Sequence, residues 1–93
     1  MIYLSQEARA DIERVREFLD VNNPEAAKRA LDTIFTALQR LEEFSQLGRP
    51  TEHPAIRQLI IPFGVSGYIA RYTIRGDRNV LVLRLWHGRE ARQ

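Results

Sequence analysis

The residues with most chemistry to offer in this chain are arginines, and they are concentrated in one half. Residues 48–93 hold eight Arg, no Lys and three acids (Glu52, Asp77 and Glu90), a local charge of +5. Residues 1–47 hold six bases against nine acids, a charge of −3, so the whole-chain value of +2 conceals a division. An arginine-rich half points to an anionic partner. Arg rather than Lys matters because the flat guanidinium fork binds phosphate or carboxylate through two parallel hydrogen bonds.

Four of these arginines, Arg57, Arg71, Arg75 and Arg84, fall in strand-like runs. If the last two runs form a hairpin with a four-residue loop, residue 75 opposes 80, 73 opposes 82, 71 opposes 84 and 69 opposes 86. One face then carries Ala70, Tyr72 and Ile74 against Leu85, Leu83 and Leu81. The other carries Ile69, Arg71, Thr73 and Arg75 against Trp86, Arg84, Val82 and Val80. Arg71 directly across from Arg84 is unfavourable by a few tenths to about 1 kcal/mol. An anion between them reverses the sign; otherwise both arms lie over Ile69, Val82 and Trp86 with their charges in water. Trp86 either stacks on a base or an arginine, or caps the sheet face.

The C-terminal run from Leu85 to Arg92 holds the other chemical candidates. His87 is placed to move protons near neutral pH, or to cap the strand by bonding a backbone carbonyl or Tyr68, its cross-strand neighbour. Arg89 adds a further cation. Arg57 begins a strand just after a loop, either as a binding arm or as a partner for Glu52. The two histidines, His53 and His87, are far apart and there is no cysteine, so no metal site, thiol nucleophile or disulfide framework is expected. No cofactor motif is present.

Elements must position these side chains. Ninety-three residues, 44% of them hydrophobic, make a single domain, 1–93, with one modest core. Ile2-Tyr3-Leu4 reads as an edge strand. Ser5 is a helix N-cap with Glu7 in the first turn. Ala8, Ile12, Val15 and Leu19 then form one helical face, widened by Phe18. Asn23-Pro24-Glu25 starts a second helix, whose face is Ala27, Leu31, Ile34, Leu38 and Leu41, broadened by Ala30, Phe35, Ala37 and Phe44, running to about Ser45. Acids on the outer faces are expected to be solvated. Strand-like runs follow at 56–62, 68–75 and 80–87, separated by Gly64–Gly67 and Gly76–Asn79. The pattern predicts an α+β fold: an N-terminal helical hairpin on one face of a three- to four-stranded antiparallel sheet. No transmembrane run or signal peptide is evident, so a cytoplasmic location without membrane contact is expected.

In order and spacing, Leu4-Ser5, the Asn-Pro joint, Leu47-Gly48-Arg49-Pro50, Ile56-Arg57-Gln58-Leu59, Tyr68-Ile69-Ala70-Arg71-Tyr72 and the closing Val-Leu-Arg-Leu-Trp-His-Gly-Arg resemble the RelE/ParE superfamily of bacterial toxins over nearly the whole chain. The resemblance implies a toxin of a type II toxin–antitoxin module, held in a hetero-oligomeric complex by a cognate antitoxin whose flexible segment wraps it. ParE-like members block DNA gyrase by binding; RelE-like members cut messenger RNA on the ribosome with Lys, Arg, Glu, His and a C-terminal Tyr. Here the one Lys, Lys28, lies in the second helix, Ile69 stands three residues before Tyr72, and Gly88 follows His87 where some nucleases place Tyr. Arg57, Arg84 and His87 remain as matching types. The balance favours a ParE-like gyrase inhibitor without catalytic residues. A RelE-like ribosome-dependent nuclease and a non-toxic peptide-binding module of the same fold are the alternatives. The partner-binding set is Arg57, Arg71, Arg84, Trp86, His87 and Arg89.

Overall fold

The computed structural model describes residues 1–89, so the expectations for Glu90 and Arg92 lie outside the described residues. The chain opens with β1 (Ile2–Leu4) and turns into α1 (Gln6–Asn22), where the Ser5 hydroxyl accepts the Ala8 N–H at 3.0 Å. Asn23 ends α1 in an extended conformation and caps α2 (Pro24–Gln39), its side-chain oxygen accepting from the Ala26 N–H. One residue thus serves both helices, and the proline behind it lacks the N–H that a first turn leaves unused. A 3₁₀ turn, Arg40–Glu42, closes the helical part, earlier than the Ser45 expected from periodicity.

Five strands form one sheet in the order β1-β5-β4-β3-β2, with β2 at Arg49–Pro50, β3 at Arg57–Ile61, β4 at Tyr68–Ile74 and β5 at Val80–His87. Three to four strands were expected. The additional one is the two-residue β2, too short to carry a periodic signal. The β2–β3–β4–β5 ladders are antiparallel, but β1 lies parallel to β5, so the sheet is mixed. The turn into β4 needs Gly67: its φ is +74°, and a Cβ there would stand 2.4 Å from the Ile61 carbonyl.

The core lies between the helices and one sheet face. Ala8, Val15, Ala30, Ile34, Leu38 and Leu41 meet Leu59, Ile61, Tyr68, Ala70, Tyr72, Val80, Val82 and Leu85. Each fully buried Leu or Ile contributes about 1.5–3 kcal/mol of transfer free energy. The expected helical faces are narrower than drawn. Phe18, Phe35 and Phe44 are 69%, 41% and 55% exposed, so they flank the core instead of broadening it.

A β-bulge corrects the predicted faces of β5. Arg71 opposes Arg84 and Ile69 opposes Trp86 as expected, but Tyr72 then opposes Val82, Thr73 opposes Leu81 and Ile74 opposes Val80. One extra residue, Leu83, reverses the alternation. Val80 and Val82 therefore enter the core with Leu85, while Leu81 and Leu83 fall on the other face. The hairpin loop correspondingly spans five residues, 75–79, instead of four.

Candidate partner-binding site

β1 covers only Val80–Val82, so the rest of β5 would be a bare edge. Ser5, the cap of α1, and side chains of α1 close it. Ser5 donates its N–H to the Val82 carbonyl at 2.9 Å and its hydroxyl to the Leu83 carbonyl at 2.9 Å. Asp11 accepts the Leu85 N–H at 2.8 Å, and Arg14 donates to the Leu85 carbonyl at 3.4 Å. The helix satisfies backbone groups that a neighbouring strand would otherwise take, blunting an edge prone to stray pairing.

Asp11 is the centre of this closure. It is 2% exposed and is the one buried charged residue among those described. Both its oxygens receive the Arg84 fork, at 2.8 and 3.1 Å, and Arg14 adds a third cationic contact at 2.8 Å. Burial pushes the carboxyl pKa up. The bonds from Arg84, the Leu85 N–H and Arg14 outweigh that and hold it at about 2, against an ordinary 3.8. This corrects one expectation: Arg84 is not an unneutralised partner for Arg71, because a carboxylate of the same molecule occupies its fork. Asp11 could have been found in the sequence, because it sits inside the stripe Ala8–Ile12–Val15 with Arg14 one turn on.

Arg71 lies on the face away from the helices. Its Nε donates to Gln58 Oε1 at 3.2 Å, its guanidinium stands 5.9 Å from the Trp86 ring centroid, and an exposed Glu52 approaches at 3.8 Å. Trp86 itself is 7% exposed, so it caps this face and offers little ring surface for stacking. Of the two roles open to Arg57, a binding arm or a partner for Glu52, the second is not taken up, because Glu52 approaches Arg71. Arg57 instead bonds the carbonyls of Gly48 (3.0 Å) and Gln46 (3.2 Å), fastening the loop that follows the helices.

His87 opposes Tyr68 as expected and meets its ring edge-on, centroids 5.3 Å apart. Its Nδ1 accepts the Arg89 N–H at 3.1 Å, which requires the ring proton to sit on Nε2. Arg89 donates to Ser66 at 2.8 Å. Gly88 is explained by close approach: its N–H bonds the Gly67 carbonyl at 2.9 Å and a Cβ would stand 3.0 Å from the Ser66 carbonyl. His87 and Arg89, with Arg14, Phe18, Phe63 and Val65 among others, line an apolar groove of about 590 Å³ between α1 and the β3–β4 turn. Sequence reading missed this groove, because its walls come from segments some fifty residues apart.

The three residues matching nuclease types do not converge. Arg57 opposes Tyr72 and His87 opposes Tyr68, on opposite sides of β4. Four residues along a strand and two strand spacings across it separate their backbones by about 16 Å. Among the described residues no group of three or more His, Cys, Asp or Glu is placed to hold a metal ion, and no helix is long and apolar enough to cross a membrane.

A helical hairpin on a small mixed sheet, with arginines tied across its uncovered side, defines a compact α+β protein. The chain matches the family described as ParE toxin of the type II toxin–antitoxin system parDE over residues 2–92, and it belongs to that family. Two relatives, both from Caulobacter vibrioides, carry the sister name. Toxin RelE1 is 37% identical over 91 residues, covering 98% of this chain and 96% of its own length. Toxin RelE3 is 34% identical, covering 98% and 97%. The solved structure of a chromosomal ParDE system from P. aeruginosa superposes with a TM-score of 0.76 over 92% of both chains at 24% identity, a likeness of fold. The protein is a toxin of a type II toxin–antitoxin system, within the RelE/ParE superfamily.

Proposed function

We propose that this toxin, held in check by a cognate antitoxin, arrests growth by binding DNA gyrase instead of cutting RNA. The observation that carries the reading is the dispersal of Arg57, Arg84 and His87. Cleaving RNA by attack of a ribose 2′-hydroxyl on the adjacent phosphate needs a base for that hydroxyl, a cation for the phosphate and an acid for the leaving 5′ oxygen, all within reach of one phosphodiester. Here Arg57 bonds loop carbonyls, Arg84 bonds Asp11, and the backbone of His87 lies about 16 Å from that of Arg57. A binding poison needs no such convergence, only a stable surface. The partner-facing set is Arg71, His87 and Arg89, with Trp86 packed beneath Arg71 and with Arg57 and Arg84 held in intramolecular bonds.

The names of the two Caulobacter relatives favour a second reading, a ribosome-dependent nuclease whose site assembles on the ribosome. Expression of the chain without its antitoxin separates the two. Under the gyrase reading, DNA synthesis stops first, messenger RNA stays intact, and purified protein inhibits supercoiling by gyrase. Codon-positioned cleavage of messenger RNA with translation stopping first would overturn it.

A further inference from the structure

The groove between α1 and the β3–β4 turn has a floor, two walls and a charged end. Val15 and Tyr68, both buried, form its floor. Phe18 and Leu19 of α1 make one wall, and Phe63 and Val65 of the turn make the other. Phe18 and Val65 are left bare, Val65 at 93% exposure. Its volume of about 590 Å³ lies inside the range of about 300–1,000 Å³ typical of small-molecule sites, which are likewise mostly apolar with a few placed polar groups. Those polar groups gather where β5 leaves the sheet. Arg14 reaches the Leu85 carbonyl there, His87 lies two residues further on, and Arg89 follows. Among the described residues, no acid lines the groove.

Arg89 is held at that end from two directions. Its backbone N–H bonds His87 Nδ1 at 3.1 Å, and its Nε donates to the Ser66 hydroxyl at 2.8 Å. The second bond orients the guanidinium plane and leaves its two terminal nitrogens, the pair that forms a fork on a carboxylate, for another acceptor. A cation already held in place gives up little side-chain freedom when an anion arrives. We propose that the groove binds a small amphipathic carboxylate, with its apolar body between Phe18 and Val65 over Tyr68 and its carboxylate on the terminal nitrogens of Arg89. The proposal does not rest on which target the toxin strikes. A metal ion would meet cations where it needs donors. A nucleic acid needs positive charge spaced along its backbone, and here the charge sits at one end. A protein partner is the competing occupant, but the groove's eleven lining residues fall short of the roughly 20–30 per side that a specific protein interface uses. A protein would also cover Val21, which is 86% exposed, three residues beyond Phe18 on α1 and outside the groove lining.

The test titrates the full chain with decanoate, 1-decanol and decyltrimethylammonium, each below its micelle concentration, by calorimetry. Ring-proton NMR shifts of Tyr68 and His87 locate the site. Decanoate is expected to saturate one site and to bind about tenfold tighter than either of the others, the scale of a hydrogen-bonded charge. Arg89→Gln should remove that preference while leaving decanol binding unchanged. Phe18→Ser should weaken decanoate and decanol alike, by about fivefold or more, through lost apolar contact. Where that variant fails to fold, Val65→Ser takes down the opposite wall and carries the same expectation. Val21→Ser should leave all three affinities within twofold. Failure of decanoate to bind the folded chain, equal binding of the cation, or a preference that survives Arg89→Gln would each overturn the proposal. A loss on Val21→Ser as large as that on Phe18→Ser would also overturn it, since that pattern marks a broad apolar face for a protein and not a cavity for a small molecule.

Discussion

Asp11 shows how one side chain can serve both stability and site. Its carboxylate ties α1 to β5 through the Leu85 N–H and removes Arg84 from the surface. The sign of its pH dependence follows from its depressed pKa. The stabilisation is fully present above the unfolded value near 3.8 and is lost as pH falls through the folded value of about 2. The difference corresponds to about 2 kcal/mol. Asp11→Asn keeps the shape but turns an acceptor into a donor facing two guanidinium groups. It should lower stability at neutral pH by about 2 kcal/mol or more, the scale of a broken buried pair discounted for the partial exposure of Arg84. Urea unfolding of both proteins at pH 7 and near pH 2 checks this. The gap should narrow sharply in acid; an unchanged gap would mean that the charge contributes nothing and that shape alone matters.

At the scale of elements, the loop between the helices and the sheet is locked by a single phenol. Tyr72, fully buried in β4, accepts the Gly48 N–H at 2.9 Å and donates to the Ser45 carbonyl at 2.7 Å, while Arg57 binds the same loop from the next strand. Gly48 is required by proximity: a Cβ there would stand 2.8 Å from both the Tyr72 hydroxyl and the Gln58 carbonyl. Gly48→Ala and Tyr72→Phe should each cost about 1–3 kcal/mol, the first by overpacking and the second by leaving a buried N–H unpaired. Because removing the hydroxyl relieves part of the crowding, the double variant should be less destabilised than the sum by more than about 0.5 kcal/mol. Thermal unfolding of the four proteins measures the coupling; strict additivity would show that the two groups do not meet. The same scale explains what could be read in advance. Ser5 and Asn23-Pro24 announce both helices because capping is local chemistry, and the three long strands follow from alternation. The bulge at Leu83 and the strand β2 did not announce themselves. A single inserted residue carries no turn signal, and two residues carry no period. The Arg71–Arg84 register was legible, but the answer to their repulsion, Asp11, comes from α1 seventy-three residues away, where only a fold brings it.

For the molecule as a whole, the division of charge along the sequence is not a division in space. Asp11 carries an acid of the helical half to Arg84 of the strand half, so the +5 of residues 48–93 is partly answered from within. What stays outward is a set of exposed arginines on strands and loops, Arg49, Arg75, Arg78 and Arg89, while on α1 the exposed acids Glu13 and Asp20 are bridged by Arg16. Fixed exposed charges of one sign act at a distance before any contact forms. They steer an acidic partner inward and matter less once the apolar surfaces have met. The consequence is kinetic. Between about 20 and about 200 mM salt, where the screening length falls from about 20 Å to below 8 Å, the association rate with the antitoxin should drop about tenfold. The dissociation rate, set by buried apolar contact, should change less than about threefold. Stopped-flow measurement of both rates decides the matter. An association rate indifferent to salt would show that the arginines serve only the internal bonds of the fold, and that recognition of the partner begins with apolar collision.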